Sequence, residues 1–183
     1  MFLGNNPQTL DRFGMRMPWK IVSEGEVWRL ILSLYITHGF ITIVINSIAQ
    51  MIIGFLLESM LGPLRMAGFY FAVGISANIF GAITTDWYAA GPEPMLFGQL
   101  GGIIAMYLFY WDYIKCHWCK KVCGCCGLIV LILIGAYLVT ALSLPYEEYT
   151  NLLKIDHPDT FGCIGGFIFG LFFSWVFLPS SSK

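Results

Sequence analysis

The amino-acid sequence predicts an all-α membrane protein, built as a bundle of about five transmembrane helices. Hydrophobic residues make up 57% of the 183 residues and charged residues only 11%, and the mean hydropathy is +0.73. An ordinary soluble domain carries about 25% charged residues, so water cannot be the solvent for most of this surface. Five apolar segments of near-span length, separated by polar or proline-containing breaks, indicate that lipid takes that role.

The five segments are assigned as helices because each approaches the ~20 residues that a helix needs to cross a bilayer. Gly62-Pro63 forms a sharp break after the first segment, Asp86–Pro94 is a polar break before the third, and Pro145–Asp159 is an acidic break before the fifth. The predicted spans are Phe40–Leu61, Pro63–Ile83, Met95–Tyr113, Gly124–Leu144 and Thr160–Leu178.

The chain divides into three regions: a polar N-terminal segment (1–26), a transmembrane domain (27–178) and a polar tail (179–183). The domain opens on Val27–Ile36, which is apolar but contains Trp28 and Arg29, and which we expect to be interfacial or re-entrant. Residues Met1–Lys20 lack the long apolar core of a secretory signal peptide.

Charge and small residues indicate what the bundle contacts. The net charge of −1 gives no electrostatic basis for binding nucleic acid. We expect the partners to be transmembrane helices of other subunits and membrane lipids, and we expect no cofactor. Gly166 and Gly170 form a small-xxx-small pair, which lets helix backbones approach closely, so we assign these glycines to packing rather than to chemistry.

Five of the six cysteines are concentrated between residues 116 and 126. Four of them, Cys116, Cys119, Cys123 and Cys126, have a spacing that could offer four thiolates to zinc. The spacing is tight for zinc, because paired cysteine knuckles normally lie far apart in the sequence. The same spacing follows one face of a helix, and reversible acylation is a further alternative. We favour a juxtamembrane segment with neither function, and therefore predict no metal site.

The order of several motifs resembles the rhomboid family of intramembrane serine proteases and its inactive relatives, the iRhoms. Each motif is weak singly, but six occur in the family's order over residues 20–178. They are Gly25-Glu-Val-Trp28-Arg29, Asn46 in the next helix, Leu57-Glu58-x-x-Leu61-Gly62-x-Leu64-Arg65, Tyr70-x-x-x-Gly74-Ile-x-x-Asn78, Gly91-Pro-Glu-Pro-Met-Leu-Phe97-Gly98 and Gly162-Cys163-Ile-Gly165-Gly166.

The resemblance places the family's nucleophilic serine at Glu93, its general-base histidine at Cys163 and its helper histidine at Thr42, while Asn46 is retained. A serine protease needs a hydroxyl nucleophile, a base that activates it and donors for the oxyanion. None of the three substituted positions supplies its part. The resemblance therefore implies a pseudoprotease, not an enzyme.

The surroundings of Glu93 depart further from the family. Pro92 and Pro94 flank it, and proline has no N–H to donate to an oxyanion. The carboxylate could contact a proton, a cation or a lipid headgroup. We favour the alternative that it faces a water-filled mouth or caps the third span beside the helix dipole. Other polar residues within the spans are expected to hydrogen-bond between helices; these are Asn46, Asn78 and Gln99.

The family core usually has six spans, the first of which precedes the Trp28-Arg29 motif, and this first helix is expected to be absent here. The resulting groove could accept a partner helix or lipid. The function expected is a non-catalytic membrane scaffold, an accessory or structural subunit of a larger complex. The alternative is an iRhom-like client-binding regulator of membrane protein trafficking or stability, and an active protease is least favoured.

The sequence alone identifies a multi-pass membrane protein without naming its membrane. A small bundle without large soluble domains suits a multisubunit complex, which slightly favours the mitochondrial inner membrane over the endoplasmic reticulum or Golgi.

Overall fold

A computed structural model describes residues 7–37, 40–109 and 159–177. All regular elements in these ranges are helices, apart from an isolated antiparallel bridge between Arg16 and Ala89. The helices are α1 (Pro7–Phe13), α2 (Pro18–Ser23), α3 (Arg29–Leu32), α4 (Phe40–Leu61), α5 (Pro63–Thr84), α6 (Glu93–Phe109) and α7 (Thr160–Phe177). The fold class predicted from composition and apolar segments is confirmed.

Four of the five predicted spans correspond to long helices. The first, Phe40–Leu61, is α4, and α5 continues one residue beyond the predicted end at Ile83. The fifth is α7, which is described up to Phe177. The predicted fourth span, Gly124–Leu144, lies outside the described residues, as do all four cysteines of the zinc alternative.

The third predicted span corresponds to α6, which begins at Glu93 rather than at Met95. Its first turn is closed by the backbone N–H of Leu96, which donates to the carbonyl oxygen of Pro92 at 2.9 Å. Pro94 lies within this first turn, where its fixed φ suits the helix and its missing N–H leaves no hydrogen bond unmade. The prolines therefore start the helix, whereas the sequence analysis treated Pro94 as the end of a loop.

The long helices match the dimensions of a bilayer. With 22 residues each, α4 and α5 are about 33 Å long at 1.5 Å per residue, and the hydrocarbon core is about 30 Å thick. By length and composition, α5 and α7 can each cross it, with mean hydropathies of 1.6 and 1.8. Large apolar side chains are exposed on several helices, among them Phe55, Leu64 and Trp175. This protein is therefore an all-α membrane protein whose apolar surface faces lipid.

A tight turn reverses the chain between α4 and α5. Gly62 has a φ of 81°, a backbone conformation that a side chain disfavours. Its N–H donates to the carbonyl oxygen of Glu58 at 2.8 Å, which satisfies one of the last carbonyls of α4. Pro63 then begins α5. The predicted break at Gly62-Pro63 is thus a helix–helix turn without intervening loop.

Glycines bring α6 and α7 into backbone contact. A Cβ added to Gly166 would lie 1.9 Å from the carbonyl oxygen of Pro94, and one added to Gly170 would lie 1.9 Å from that of Gly98. Only residues without side chains fit this crossing. Helix α7 also packs against α5, and the core between the helices consists of Leu34, Leu57, Leu61, Met66, Phe69, Val73, Met95 and Met106.

Candidate functional site

The carboxylate of Glu93 lies at the start of α6 and joins this helix to α4. Its Oε1 accepts a hydrogen bond of 2.8 Å from Nδ2 of Asn46, and Asn46 is 8% exposed. Two residues 47 positions apart in the sequence are thereby connected. The two positions that the resemblance assigns to the family's asparagine and serine thus form one polar contact.

The second oxygen of this carboxylate fills the space beside Gly91. A Cβ added to Gly91 would lie 1.6 Å from Oε2 of Glu93, so only glycine leaves room for it. Gly91 also has a φ of 148°, and its N–H donates to the carbonyl oxygen of Ser33 at 3.0 Å. The Glu93 side chain therefore bonds to an amide of α4 on one side and lies against Gly91 of the preceding loop on the other.

Cys163 lies in the first turn of α7 and is 7% exposed. Its backbone N–H donates to the carbonyl oxygen of Asp159 at 2.9 Å. Gly166, in the next turn, contacts the backbone of Pro94, and this crossing brings the start of α7 beside the start of α6. The positions that the resemblance assigns to serine and histidine thus lie on two helices that touch.

The structure does not describe the side chain of Thr42, the position assigned to the helper histidine, or any of the histidines of the chain. Thr42 belongs to α4, one turn before Asn46, and its side chain lies outside the described part. All three histidines, His38, His117 and His157, lie outside it as well. Within the described ranges, no group of three histidine, cysteine or acidic residues is placed to hold a metal ion.

A buried ion pair that the sequence analysis missed lies beside this site. Arg16 is 0% exposed, and its two terminal nitrogens donate to the two oxygens of Asp159 at 2.6 and 2.8 Å. One of them also donates to Oδ1 of Asn78 at 3.2 Å. A Cβ added to Gly81 would meet the guanidinium at 2.4 Å. The arginine is thus enclosed between α5 and the start of α7.

The partners of Arg16 are themselves fixed. Asn78 donates to the carbonyl oxygen of Leu30 at 2.8 Å and to the hydroxyl of Ser33 at 2.9 Å, which connects α5 to the segment around α3. Asp159 accepts a hydrogen bond of 3.0 Å from the N–H of Gly162, as an N-cap residue does. An aspartate directly before an apolar helix is a cap signal that the sequence could have supplied.

Trp28 and Arg29 hold the N-terminal segment. The guanidinium of Arg29 lies over the Trp28 ring, 4.9 Å from its centroid, and donates to the carbonyl oxygens of Asp11 and Met15 at 3.0 Å each. It also pairs with the side chains of Asp11 and Glu26. In the described part of the chain, this motif therefore packs against its own N-terminal residues.

Ion pairs within the N-terminal segment lower the pKa of Asp11. Lys20 donates two hydrogen bonds to the carboxylate of Asp11, at 2.7 and 2.8 Å. These bonds, reinforced by the positive charges of Lys20 and Arg29 and opposed by partial burial, hold the pKa of Asp11 below its ordinary value of 3.8.

Within the described residues, Gln99 does not make the interhelical hydrogen bond that its place in a span predicts. It is 0% exposed, and neither its Nε2 nor its Oε1 has a hydrogen-bond partner in the described structure. Oε1 of Gln50, on the facing helix α4, also has none there. Among the described residues, Asn46 and Asn78 therefore bond between elements as predicted, whereas Gln99 does not.

Comparison with known proteins identifies the family. The sequence profile of the rhomboid domain matches residues 24–180, which includes every helix from α3 to α7. The chain belongs to the rhomboid family. The matched range contains the predicted transmembrane domain, and rhomboid proteins are embedded in membranes.

Several rhomboid relatives align over nearly the whole chain. RHOMBOID-like protein 5 of Arabidopsis thaliana is 30% identical over 181 residues, which are 97% of this chain and 52% of that protein. RHOMBOID-like protein 6, mitochondrial, of the same organism is 28% identical over 179 residues, again 97% and 52%. Inactive RHOMBOID-like protein 8, also of Arabidopsis, is 28% identical over 112 residues, 60% of this chain and 32% of that protein.

Other rhomboid relatives are named as proteases. The relatives therefore include proteins that are named as proteases and one that is named inactive. The chain spans about half the length of the curated relatives that it matches over most of its own length.

Proposed function

We propose that this chain is a non-catalytic rhomboid, a pseudoprotease that serves as a membrane scaffold and as an accessory or structural subunit of a larger membrane complex. The observation that supports this proposal most is the Glu93–Asn46 hydrogen bond of 2.8 Å. At the position that the resemblance assigns to the nucleophile, a carboxylate joins two helices. We therefore assign these two side chains a structural role, in which they join α4 to α6, and no catalytic role.

The chemistry of the neighbouring residues supports the same proposal. Acyl transfer needs a nucleophile that a base activates, and a glutamate carboxylate at this position does not form the acyl ester of a serine protease. Pro92 and Pro94 offer no N–H to an oxyanion. The thiol of Cys163 is buried, and a buried structural cysteine is inert unless its surroundings favour the thiolate.

The surface supports binding to other helices and to lipids. Several apolar side chains on the outside of α4 and α7 are strongly exposed, among them Met51, Phe55 and Phe172. Between transmembrane helices, association is driven by side-chain packing and by interhelical hydrogen bonds. The proposed partners are therefore transmembrane helices of other subunits, with lipids on the remaining faces, and nucleic acid is not among them.

For the location, we propose the mitochondrial inner membrane. A small bundle is suited to the multisubunit complexes there, and one relative carries the word mitochondrial in its name. A fluorescent fusion together with fractionation tests this proposal. Recovery in the endoplasmic reticulum or Golgi contradicts it without affecting the proposed pseudoprotease.

The catalytic part of the proposal is tested with the purified chain in proteoliposomes. We expect no cleavage of transmembrane peptide substrates and no labelling by a fluorophosphonate or a thiol-directed probe. Labelling that disappears in Cys163→Ala, or any cleavage above empty liposomes, contradicts the proposal. A rhomboid that is active in the same assay provides the positive control.

The scaffold part is tested by mild-detergent extraction, size separation and mass spectrometry. A structural subunit migrates well above its own mass with the same companions at a fixed ratio. Migration near 20.6 kDa plus detergent contradicts the scaffold role. Companions that vary between preparations favour the alternative, a client-binding regulator of membrane protein trafficking or stability.

A further inference from the structure

A second polar cluster lies between α4 and α6, farther into the bundle than Glu93. Gln50 follows Asn46 by one turn of α4, about 6 Å along the helix, and Gln99 follows Glu93 by about 9 Å along α6. Gln99 is 0% exposed. Neither of its polar side-chain atoms has a hydrogen-bond partner in the described residues, nor does Oε1 of Gln50.

The two glutamines border one small space. A Cβ added to Gly54 would lie 3.5 Å from Nε2 of Gln50 and 4.0 Å from Nε2 of Gln99. Both distances are those of ordinary van der Waals contact, so the position beside Gly54 has room for an atom that the glycine does not supply. The amide nitrogens of two side chains on facing helices therefore border the same space.

We propose that this space is a binding site for water inside the membrane, held by Gln50 and Gln99. One water molecule can donate to Oε1 of each glutamine and accept a hydrogen bond from Nε2 of Gln99. Buried waters in proteins typically make about three such bonds to groups that otherwise lack partners. The three polar atoms without partners match this donor and acceptor set.

The surroundings provide a polar route to the site. The Glu93–Asn46 hydrogen bond lies about 9 Å nearer to the start of α6 than Gln99 does, so polar side chains occur at both depths of the α4–α6 interface. Polar groups in hydrocarbon are retained where they face a partner or a water-filled cavity. The site is independent of the scaffold role, because it concerns only residues within this chain.

Water-edited solid-state NMR of the full chain in lipid bilayers tests the site directly. The side-chain amides are labelled with ¹⁵N, and the signals are assigned with Gln50→Leu and Gln99→Leu. Asn78 is a matched control, because it is a buried amide, 2% exposed, whose nitrogen donates to protein oxygens. We expect magnetisation from water to reach Gln99 at least about twice as fast as Asn78. Equal rates at the two amides overturn the proposal.

Gly54→Ala separates bound water from a direct bond between the glutamines. The added methyl fills the space at ordinary contact distances, so the bundle is kept, and we expect transfer from water to Gln99 to fall about two-fold or more. Gly68→Ala, which meets only the Phe177 ring, leaves that transfer unchanged. Transfer that is unchanged in Gly54→Ala, or a direct coupling between the two glutamine side chains, overturns the proposal.

Discussion

The guanidinium of Arg16 and the carboxylate of Asp159 form a bidentate ion pair between residues 143 positions apart in the sequence. The arginine is fully buried and the aspartate side chain is 11% exposed. Since Asp159 also accepts from the N–H of Gly162, the pair attaches the N-terminal segment to the first turn of α7.

Removing the positive charge of this pair is expected to destabilise the bundle. Arg16→Met leaves the Asp159 carboxylate buried and unpaired, which typically costs about 3–5 kcal/mol in the free energy of unfolding. Asp159→Asn keeps an oxygen that can cap α7 but leaves the guanidinium without its counter-ion. Unfolding of the purified chain in detergent, followed by circular dichroism, measures both variants.

Two comparisons make this test specific. The double variant Arg16→Met with Asp159→Asn is expected to recover part of the loss, because neither charge is then left alone. Lys20→Met breaks a pair with Asp11 that is more exposed, and we expect a cost of at most ~1 kcal/mol. If Arg16→Met costs no more than Lys20→Met, the buried pair does not hold the segment.

The long helices could be predicted from the sequence, whereas the role of the N-terminal segment could not. The apolar run Phe40–Leu61 must pair its backbone within itself in lipid, so its bounds follow from composition. Arg16 is a single polar residue among methionines, and its partner Asp159 lies far along the chain. Nothing local to either residue connects them, because long-range pairing depends on the packing of α5 and α7.

At the crossing of α6 and α7, an added methyl group is expected to be costly. In Gly170→Ala, the Cβ would lie 1.9 Å from the backbone carbonyl oxygen of Gly98, and backbone cannot move aside as a side chain can. Strain from overpacking typically costs about 1–3 kcal/mol. Gly68→Ala is the matched control, since its Cβ meets the flexible ring of Phe177. Equal thermal stability of the two variants would show that the helices separate easily.

The carboxylate of Glu93 is expected to be structural, so its shape matters more than its charge. Glu93→Gln keeps an oxygen for the amide of Asn46 and should lower stability only slightly. Glu93→Ala leaves the buried Asn46 amide without its acceptor, at a cost of about 1–3 kcal/mol. Thermal unfolding in detergent measures both. A loss in Glu93→Gln as large as the loss in Glu93→Ala would indicate that the negative charge itself is required.

The candidate site was only partly readable from sequence. The resemblance located Glu93, Asn46 and Cys163, because their motifs are short and ordered. It did not reveal that Glu93 bonds Asn46, which depends on how α4 and α6 pack. The position of Gln99 within a span predicted an interhelical hydrogen bond that the described residues do not contain, because a polar residue within a span signals a need for a partner without identifying it.

The Asp11 ion pairs make the N-terminal segment sensitive to acid. Its lowered pKa means that the folded state favours the charged carboxylate. The stabilisation is therefore complete above the ordinary value of 3.8 and is lost as pH falls through the lower folded pKa. Asp11→Asn should remove this dependence, which unfolding at a series of pH values between about 2 and 5 measures. An unchanged pH profile in Asp11→Asn would assign the dependence to other groups.

Placing serine and histidine at the two positions that the resemblance assigns to them should not by itself produce hydrolysis. In the double variant Glu93→Ser with Cys163→His, the new serine still lies between Pro92 and Pro94, and Pro94 cannot donate an N–H to a developing oxyanion. Losing one oxyanion donor typically lowers kcat by about 10²–10³-fold. Labelling by a fluorophosphonate probe should therefore stay at background in the double variant and rise only when Pro94→Gly is added. Full labelling of the double variant would show that the prolines are no barrier to this reaction.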